Sequence, residues 1–152
     1  MVYYADTSVL VKRHISETGS AWTRSLTKPS AGHTIITAQI SLVEIYSALN
    51  RRVREKSISP TKYVRVVAVI NRIWAAQYEI VEMKSRLVDE TRALLERHPL
   101  RAYDAVQLAS ALHATRTLQA AGAPSPIFLS ADGRLLTAAQ AEGFATDNPN
   151  LH

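Results

Sequence analysis

Short runs of apolar and β-branched residues alternate along this chain with longer segments in which apolar residues recur every three or four positions. The short runs predict strands, and the longer segments predict helices with one apolar face. The predicted strands are Val2–Ala5, Thr34–Thr37, 78–83, 126–131 and Phe144–Thr146. The predicted helices begin just after Asp6, within 16–32, and over Ala38–Arg54, Pro60–Gln77, Lys84–Arg97, 101–122 and 132–143.

The alternation of strands and helices predicts an α/β fold with a parallel sheet covered on both faces. A length of 152 residues favours one domain over the whole chain, 1–152. No glycine-rich loop follows any predicted strand, so the nucleotide-binding versions of this layout find no support.

Composition narrows the class of protein further. The chain has no cysteine, which excludes disulfides and thiolate metal sites. It has no apolar stretch of the roughly 20 residues that cross a bilayer and no signal-peptide pattern. We therefore expect a cytoplasmic protein with no membrane association.

The chain is basic, with a formal charge of +5. Four of its cations, Arg51, Arg52, Arg54 and Lys56, fall in one run. Such runs are usually a solvated helix face, but they also suit a phosphate backbone. The charge permits a nucleic-acid partner without establishing one.

Four acidic residues occupy notable places in the predicted elements. Asp6 and Asp132 each follow a strand and open a helix, where a carboxylate can simply cap the helix. Asp104 lies in the first turn of its helix and could complement the helix dipole. Glu44 lies inside an apolar-faced helix, where an unneutralised acid is costly.

Taken together, the four acids predict a metal site. Function in an open parallel sheet collects at the carboxyl ends of the strands, and several carboxylates gathered there repel one another. A divalent cation removes this repulsion, and Mg²⁺ and Mn²⁺ prefer carboxylate oxygens and water as ligands. The sequence thus favours an enzyme that acts on phosphoryl groups.

Four motifs surround these acids in order: YYADTSVLVK, SLVEIYSAL, LRAYDAVQLASAL and FLSADGRLLTAAQAEG. In sequence and order they resemble the motifs of the PIN-domain nucleases, especially the VapC-type toxin ribonucleases of type II toxin–antitoxin systems. The similarity runs over nearly the whole chain.

The resemblance implies a three-layer α/β/α sandwich with a mainly parallel sheet of four to five strands. It also implies a metal-dependent endoribonuclease that uses Mg²⁺ or Mn²⁺. The catalytic and metal-binding acids carried over are Asp6, Glu44, Asp104 and Asp132, with the hydroxyls of Thr7 and Ser130 in support. Members differ in a further acid or amide after the last strand, for which Asp147 and Asn148 are the candidates.

The resemblance also implies partners. These are an RNA substrate, a second copy of the chain in a homodimer, and a cognate antitoxin whose tail covers the acidic site. Apolar residues on more than one face of the helix Pro60–Gln77, such as Val64, Val67 and Ile70, favour such an assembly.

Several alternatives stay open at this point. A haloacid-dehalogenase phosphatase needs a second aspartate where Ser8 stands, and a phospho-receiver domain needs a late lysine, whereas none follows Lys84. A non-catalytic module that keeps the fold and binds RNA or protein is the rival from another class. Glu44 either binds a second ion or orients the attacking water.

Three tyrosines, Tyr3, Tyr4 and Tyr103, could stack on nucleobases. Tyrosines beside strand and helix cores are more often packing residues, which is the plainer interpretation of all three.

Overall fold

A computed structural model of the protein describes residues 1–152. Five strands and seven α-helices follow one another along the chain. The strands are β1 (Val2–Ala5), β2 (Thr34–Ala38), β3 (Glu79–Val81), β4 (Ile127–Leu129) and β5 (Thr146–Asp147). The helices are α1 (Thr7–His14), α2 (Ser20–Thr27), α3 (Ile40–Arg54), α4 (Pro60–Gln77), α5 (Ser85–Arg97), α6 (Ala102–Ala120) and α7 (Gly133–Ala141).

All five strands are parallel and lie in the order β3-β2-β1-β4-β5. Successive residues of β1 enter different cores: Tyr3 packs with helices α1 to α4, and Tyr4 packs with α5 to α7. Ile35 and Ile36 of β2 divide in the same way. Both faces of the sheet are thus covered, which explains why the two adjacent inner strands β1 and β4 are apolar throughout. The predicted three-layer α/β/α architecture is confirmed.

The strand order fixes where a site can form. The chain lays β2 and β3 on one side of β1, and β4 and β5 on the other. In sheets of this kind the connections diverge at such a point and leave a crevice at the carboxyl ends of the two central strands. Here those ends are Ala5 of β1 and Leu129 of β4, and the backbone N–H of Asp6 donates to the Leu129 carbonyl at 3.1 Å.

Several element bounds differ from prediction. The strands expected over 78–83 and 126–131 are shorter, Glu79–Val81 and Ile127–Leu129, and the last strand and one helix start are displaced. The last strand was expected over Phe144–Thr146 but covers Thr146–Asp147, which pair with Phe128 and Leu129. Phe144 leaves the sheet because its ring packs against that of Phe128, with centroids 5.6 Å apart. The helix expected from Ala38 starts at Ile40, since Ala38 still pairs in the sheet.

The outer face of α4 is less apolar than the sequence indicated. Val64 is 64% exposed, but Ile70 is only 1% exposed and belongs to the core under α3 and α4. The interpretation of Ile70 as a spare apolar residue is therefore wrong. Among the helices, none has both the length and the apolar character that a membrane span needs.

Candidate active site

An open cleft of about 590 Å³ lies at the carboxyl ends of the central strands. All four predicted acids line it. Asp6 follows β1, Glu44 lies on α3, Asp104 is in the first turn of α6, and Asp132 precedes α7. Residues far apart in sequence thus share one cleft because the strand ends and helix starts that carry them meet there.

Asp6 forms the floor of the cleft and is only 5% exposed. Its Oδ1 accepts hydrogen bonds from Ser8 Oγ at 2.6 Å and Val9 N at 3.1 Å, and its Oδ2 accepts from Ser130 Oγ at 2.7 Å. Burial raises the pKa of Asp6 to about 6; the three hydrogen bonds oppose this rise and the charge of Glu44 adds to it. The carboxylate is therefore fixed in place yet short of positive charge.

Ser8 is a residue that sequence reasoning used only to exclude another enzyme class. In the structure it donates to Asp6 and also accepts from the backbone N–H of Ala131 at 2.8 Å. It thus joins the end of β1 to the loop after β4. The signal that could have found it was its place two residues after a strand-end aspartate.

Glu44 is held by residues from two other elements. Its Oε2 accepts from Thr7 Oγ1 at 2.5 Å and from Gln107 Nε2 at 2.8 Å. Oε1 accepts no hydrogen bond from the protein, so one carboxylate oxygen is left for a proton, a water or a cation. Thr7 thus contacts Glu44, while the other predicted hydroxyl, Ser130, contacts Asp6.

Gln107 was missed by the sequence analysis. It is 2% exposed, and its Oε1 accepts from Tyr4 OH at 2.7 Å while its Nε2 lies 2.9 Å from Ser41 Oγ and 3.0 Å from Thr7 Oγ1. The available signal was an amide in an otherwise apolar run of α6, three residues after Asp104, where helix geometry places both on neighbouring positions of one face.

Asp104 and Asp132 form a second acidic pair. Burial raises the pKa of Asp104, and the charge of Asp132 raises it further, against the opposing charges of Arg101 and Arg134. Asp132 also caps α7, because its Oδ1 accepts from Arg134 N at 2.8 Å. Asp6 caps α1 in the same way. Asp6 and Asp132 therefore each cap a helix and also line the cleft.

The carboxylate oxygens of the cleft suit a cation that keeps some of its bound water better than a cation that protein ligands enclose completely. No three acidic or histidine side chains approach closely enough to make a preformed metal cluster. The acids couple instead as two pairs, Asp6 with Glu44 and Asp104 with Asp132. Mg²⁺ usually keeps several waters and takes only one or two protein carboxylates, so oxygen ligands in this arrangement fit such an ion.

Basic residues border the acids. The arginines lining the cleft are Arg51, Arg52, Arg54 and Arg101. Arg52 is already engaged, since its Nη2 lies 2.9 Å from Glu17 Oε2. Lys56 lies beyond the end of α3 and does not line the cleft, which separates it from the other members of the basic run.

The two candidates after the last strand are not part of the cleft. Asp147 Oδ1 accepts from the Asn148 backbone N–H at 2.8 Å and lies 3.0 Å from His152 Nε2. Asn148 caps the turn at Pro149–Leu151. Both side chains thus serve the C-terminal segment.

Comparison with known proteins places these features in a family. Residues 3–138 match the PIN domain. No curated protein sequence matches the chain. Among solved structures, the chain is similar to FitAcB from Neisseria gonorrhoeae, with 14% identity, TM-score 0.65 and 98% of each chain covered.

Two further structures are similar. Mycobacterium tuberculosis VapC20, described as a toxin that cleaves the sarcin-ricin loop, is 18% identical with TM-score 0.62, covering 95% of this chain and 97% of VapC20. A toxin–antitoxin complex from Klebsiella pneumoniae gives 16% identity, TM-score 0.57 and 97% coverage of each chain. At these identities the likeness is one of fold.

Proposed function

Because this chain belongs to the PIN-domain family, we propose that it is a Mg²⁺- or Mn²⁺-dependent endoribonuclease and the toxin of a toxin–antitoxin pair. The observation that carries the proposal is the cleft in which Asp6, Glu44, Asp104 and Asp132 meet a border of arginines. We propose one catalytic domain over 1–152, acting in the cytoplasm.

Asp6, Asp104 and Asp132 would hold one or two cations, and Glu44 would either bind the second ion or orient the attacking water. When bound, the ion supplies Lewis-acid charge for the phosphate and activates water for attack on phosphorus. The 2′-hydroxyl need not attack, so the products carry a 5′-phosphate and a 3′-hydroxyl.

Neighbouring residues of the chain position the carboxylates of Asp6 and Glu44. Ser8, Ser130 and the Val9 amide hold the Asp6 carboxylate in one orientation, so little reorganisation accompanies the reaction. Thr7 and Gln107 hold Oε2 of Glu44 and leave Oε1 to accept a hydrogen bond from water. Burial of Asp6 excludes bulk water from the floor of the cleft and strengthens its electrostatic interactions.

The arginines of the cleft would bind the RNA backbone. Arg51 is well exposed, with 64% of its side chain accessible, and its only ionic partner is Glu55 at 3.9 Å. Exposed guanidinium groups of this kind bind phosphate oxygens in a salt-sensitive way. Acids at the centre and cations at the rim thus suit a polyanion that is cleaved in the middle of the cleft.

The proposed protein partners are a cognate antitoxin and a second copy of the chain. The similar Klebsiella pneumoniae structure is a toxin–antitoxin complex, which supports an antitoxin for this chain. Exposed valines on the outer helices, Val43 at 59% and Val64 at 64%, supply apolar surface for contacts between chains.

Cleavage of single-stranded RNA by the purified protein tests the proposal, with Mg²⁺, with Mn²⁺ and with EDTA in parallel. Asp104→Asn should abolish cleavage while RNA binding, measured by fluorescence anisotropy, stays near the wild-type level. Asp89→Asn is the matched control, because Asp89 is exposed on α5 and lies outside the cleft.

Two results would overturn the nuclease proposal. One is cleavage that is equally fast in EDTA or in Asp104→Asn. The other is RNA binding with no cleavage under any metal condition, which would identify the chain as a binding module instead.

A further inference from the structure

One aromatic ring stands apart from the others in this fold. Tyr103 is 55% exposed, and no other tyrosine, tryptophan or phenylalanine is left exposed by the fold. It also lines the acidic cleft, beside Asp104 in the first turn of α6. Its hydroxyl has no hydrogen-bond partner in the protein, and its ring stacks on no other ring. Nothing in the folded chain therefore uses this side chain.

The other two tyrosines considered from the sequence differ clearly. Tyr3 is 8% exposed, and Tyr4 is fully buried and donates to Gln107. Both are packing residues, as the plainer interpretation of the sequence held. Tyr103 alone remains available to a ligand in the cleft.

We propose that Tyr103 is a nucleobase-stacking subsite and that it selects substrates with an unpaired, unstacked base next to the scissile phosphate. The inference rests on the proposed nuclease function and names the class of RNA that this site takes. An aromatic ring accepts the face of any base, whereas a base inside a duplex is already stacked on its neighbours and cannot reach it.

The neighbours of Tyr103 favour a nucleotide over a peptide as the occupant. Arg101, two residues earlier and also exposed, lines the same cleft, so a cation for the phosphate lies near the ring for the base. Arg51 and Arg54 extend the cationic rim from α3. Alternating cations and an aromatic surface are what a single-stranded nucleic acid requires.

The position of the ring also links binding to cleavage. Tyr103 and Asp104 are adjacent residues of one rigid helix, so a base held on the ring brings its own phosphate toward the acidic residues. Stacking then contributes to the orientation of the reacting phosphate as well as to affinity.

The test uses short single-stranded oligoribonucleotides that carry 2-aminopurine at successive positions, together with the matching duplex. Binding is measured in EDTA, and cleavage is measured separately in Mg²⁺ and Mn²⁺. The variants are Tyr103→Ala, which removes the ring, and Tyr103→Phe, which keeps it. Val88→Ala is the control, since Val88 is 54% exposed but lies on α5 outside the cleft.

The wild type and Tyr103→Phe should change 2-aminopurine fluorescence at one position or at two adjacent positions. Tyr103→Ala should lose this change and bind the single strand about tenfold more weakly, within the range for one stacked base. Its kcat/KM on single-stranded RNA should fall by a similar factor, while duplex binding and the melting temperature stay unchanged.

If Tyr103→Ala bound and cleaved single-stranded RNA with the affinity and kcat/KM of the wild type, the stacking subsite would be overturned. A Tyr103→Phe variant that behaves like the alanine variant would also overturn it. A loss of affinity for a protein partner with unchanged RNA binding would assign the ring to a protein interface instead. The nuclease proposal fails by a different result. Position-specific fluorescence changes without metal-dependent cleavage would contradict the proposed nuclease activity but would still support base stacking on Tyr103.

Discussion

The side-chain amide of Gln107 lies 2.8 Å from the carboxylate of Glu44 and joins α6 to α3 beneath the cleft. The same amide accepts a hydrogen bond from Tyr4 OH at 2.7 Å, so the network reaches from the central strand to the candidate active site. A buried network of this kind stabilises only while every member is satisfied.

Replacing Gln107 with leucine should therefore destabilise the fold. The change leaves the Tyr4 hydroxyl without its acceptor and removes a donor from Glu44, and each buried group that loses its partner costs about 1–3 kcal/mol. We expect a loss of about 2–4 kcal/mol in the free energy of unfolding, measured by urea denaturation.

The control for this variant is Gln119→Leu, because Gln119 is exposed near the end of the same helix and its one side-chain contact, to Ser125 Oγ, is long at 3.3 Å. Surface changes of this kind stay within about 0.5 kcal/mol. Equal stability of Gln107→Leu and the wild type would show that the network contributes nothing to the fold.

Divalent ions should stabilise the protein against heat. Mn²⁺ or Mg²⁺ bound only to the folded state adds about 2.7 kcal/mol at a hundredfold excess over its dissociation constant. Asp6→Asn should shrink the rise in melting temperature, because it removes charge from the floor of the cleft, whereas Asp89→Asn should leave the rise intact. Superimposed melting curves with Mn²⁺ and with chelator would contradict the proposed metal site.

The raised pKa of Asp6 predicts a pH dependence in the absence of metal. The folded carboxyl has a pKa of about 6 against an ordinary value of 3.8 for aspartate, so the folded state binds the proton more tightly. The stability from Asp6 is fully present below about pH 4 and is lost as the pH rises through about 6. The loss amounts to about 3 kcal/mol for a shift of this size.

The measurement compares urea denaturation of the wild type and Asp6→Asn at pH 4 and pH 7, both in chelator. The comparison is needed because His14 acts in the opposite sense: burial lowers its pKa to about 4, so its contribution is lost on acidification. Relative to the wild type, Asp6→Asn should gain stability between the two pH values. A difference independent of pH would refute the shifted pKa.

Local sequence patterns were sufficient for the elements and for the acids. The strand Val2–Ala5 ends at Asp6 as predicted, since a buried parallel strand is apolar throughout and an aspartate then caps the next helix. The resemblance to PIN-domain nucleases gave the three layers and the number of strands, and the alternation of elements gave a parallel sheet. The order of the strands, β3-β2-β1-β4-β5, was not predicted.

Long-range pairings could not be predicted in the same way. The contacts of Gln107 with Tyr4 and of Arg52 with Glu17 join residues that are close only after folding. The shift of the last strand has the same origin, because Phe144 is drawn into the core by Phe128 rather than by its neighbours in sequence.

The proposed homodimer is tested by the mass in solution. Light scattering at tens of micromolar protein should give about twice the chain mass of 16.8 kDa. Val64→Asp should weaken the dimer if the exposed face of α4 contributes to it, without lowering monomer stability, since the side chain is 64% exposed. A monomeric mass at that concentration would contradict the dimer itself.

The cations of the basic run should differ in their contribution to RNA binding, because some of them line the cleft and others do not. Arg51 lines the cleft and Lys56 does not, although both belong to the run of cations at the end of α3. Each phosphate contact on a single strand contributes about 0.7 to the slope of log affinity against log salt. Arg51→Gln should therefore weaken binding of single-stranded RNA and reduce that slope by about 0.7, whereas Lys56→Gln should change neither. Affinities are measured by anisotropy over a series of salt concentrations, and the melting temperatures of both variants are checked against the wild type. Equal losses for the two variants would mean that the whole run acts as a diffuse positive surface and that the cleft does not define the path of the RNA.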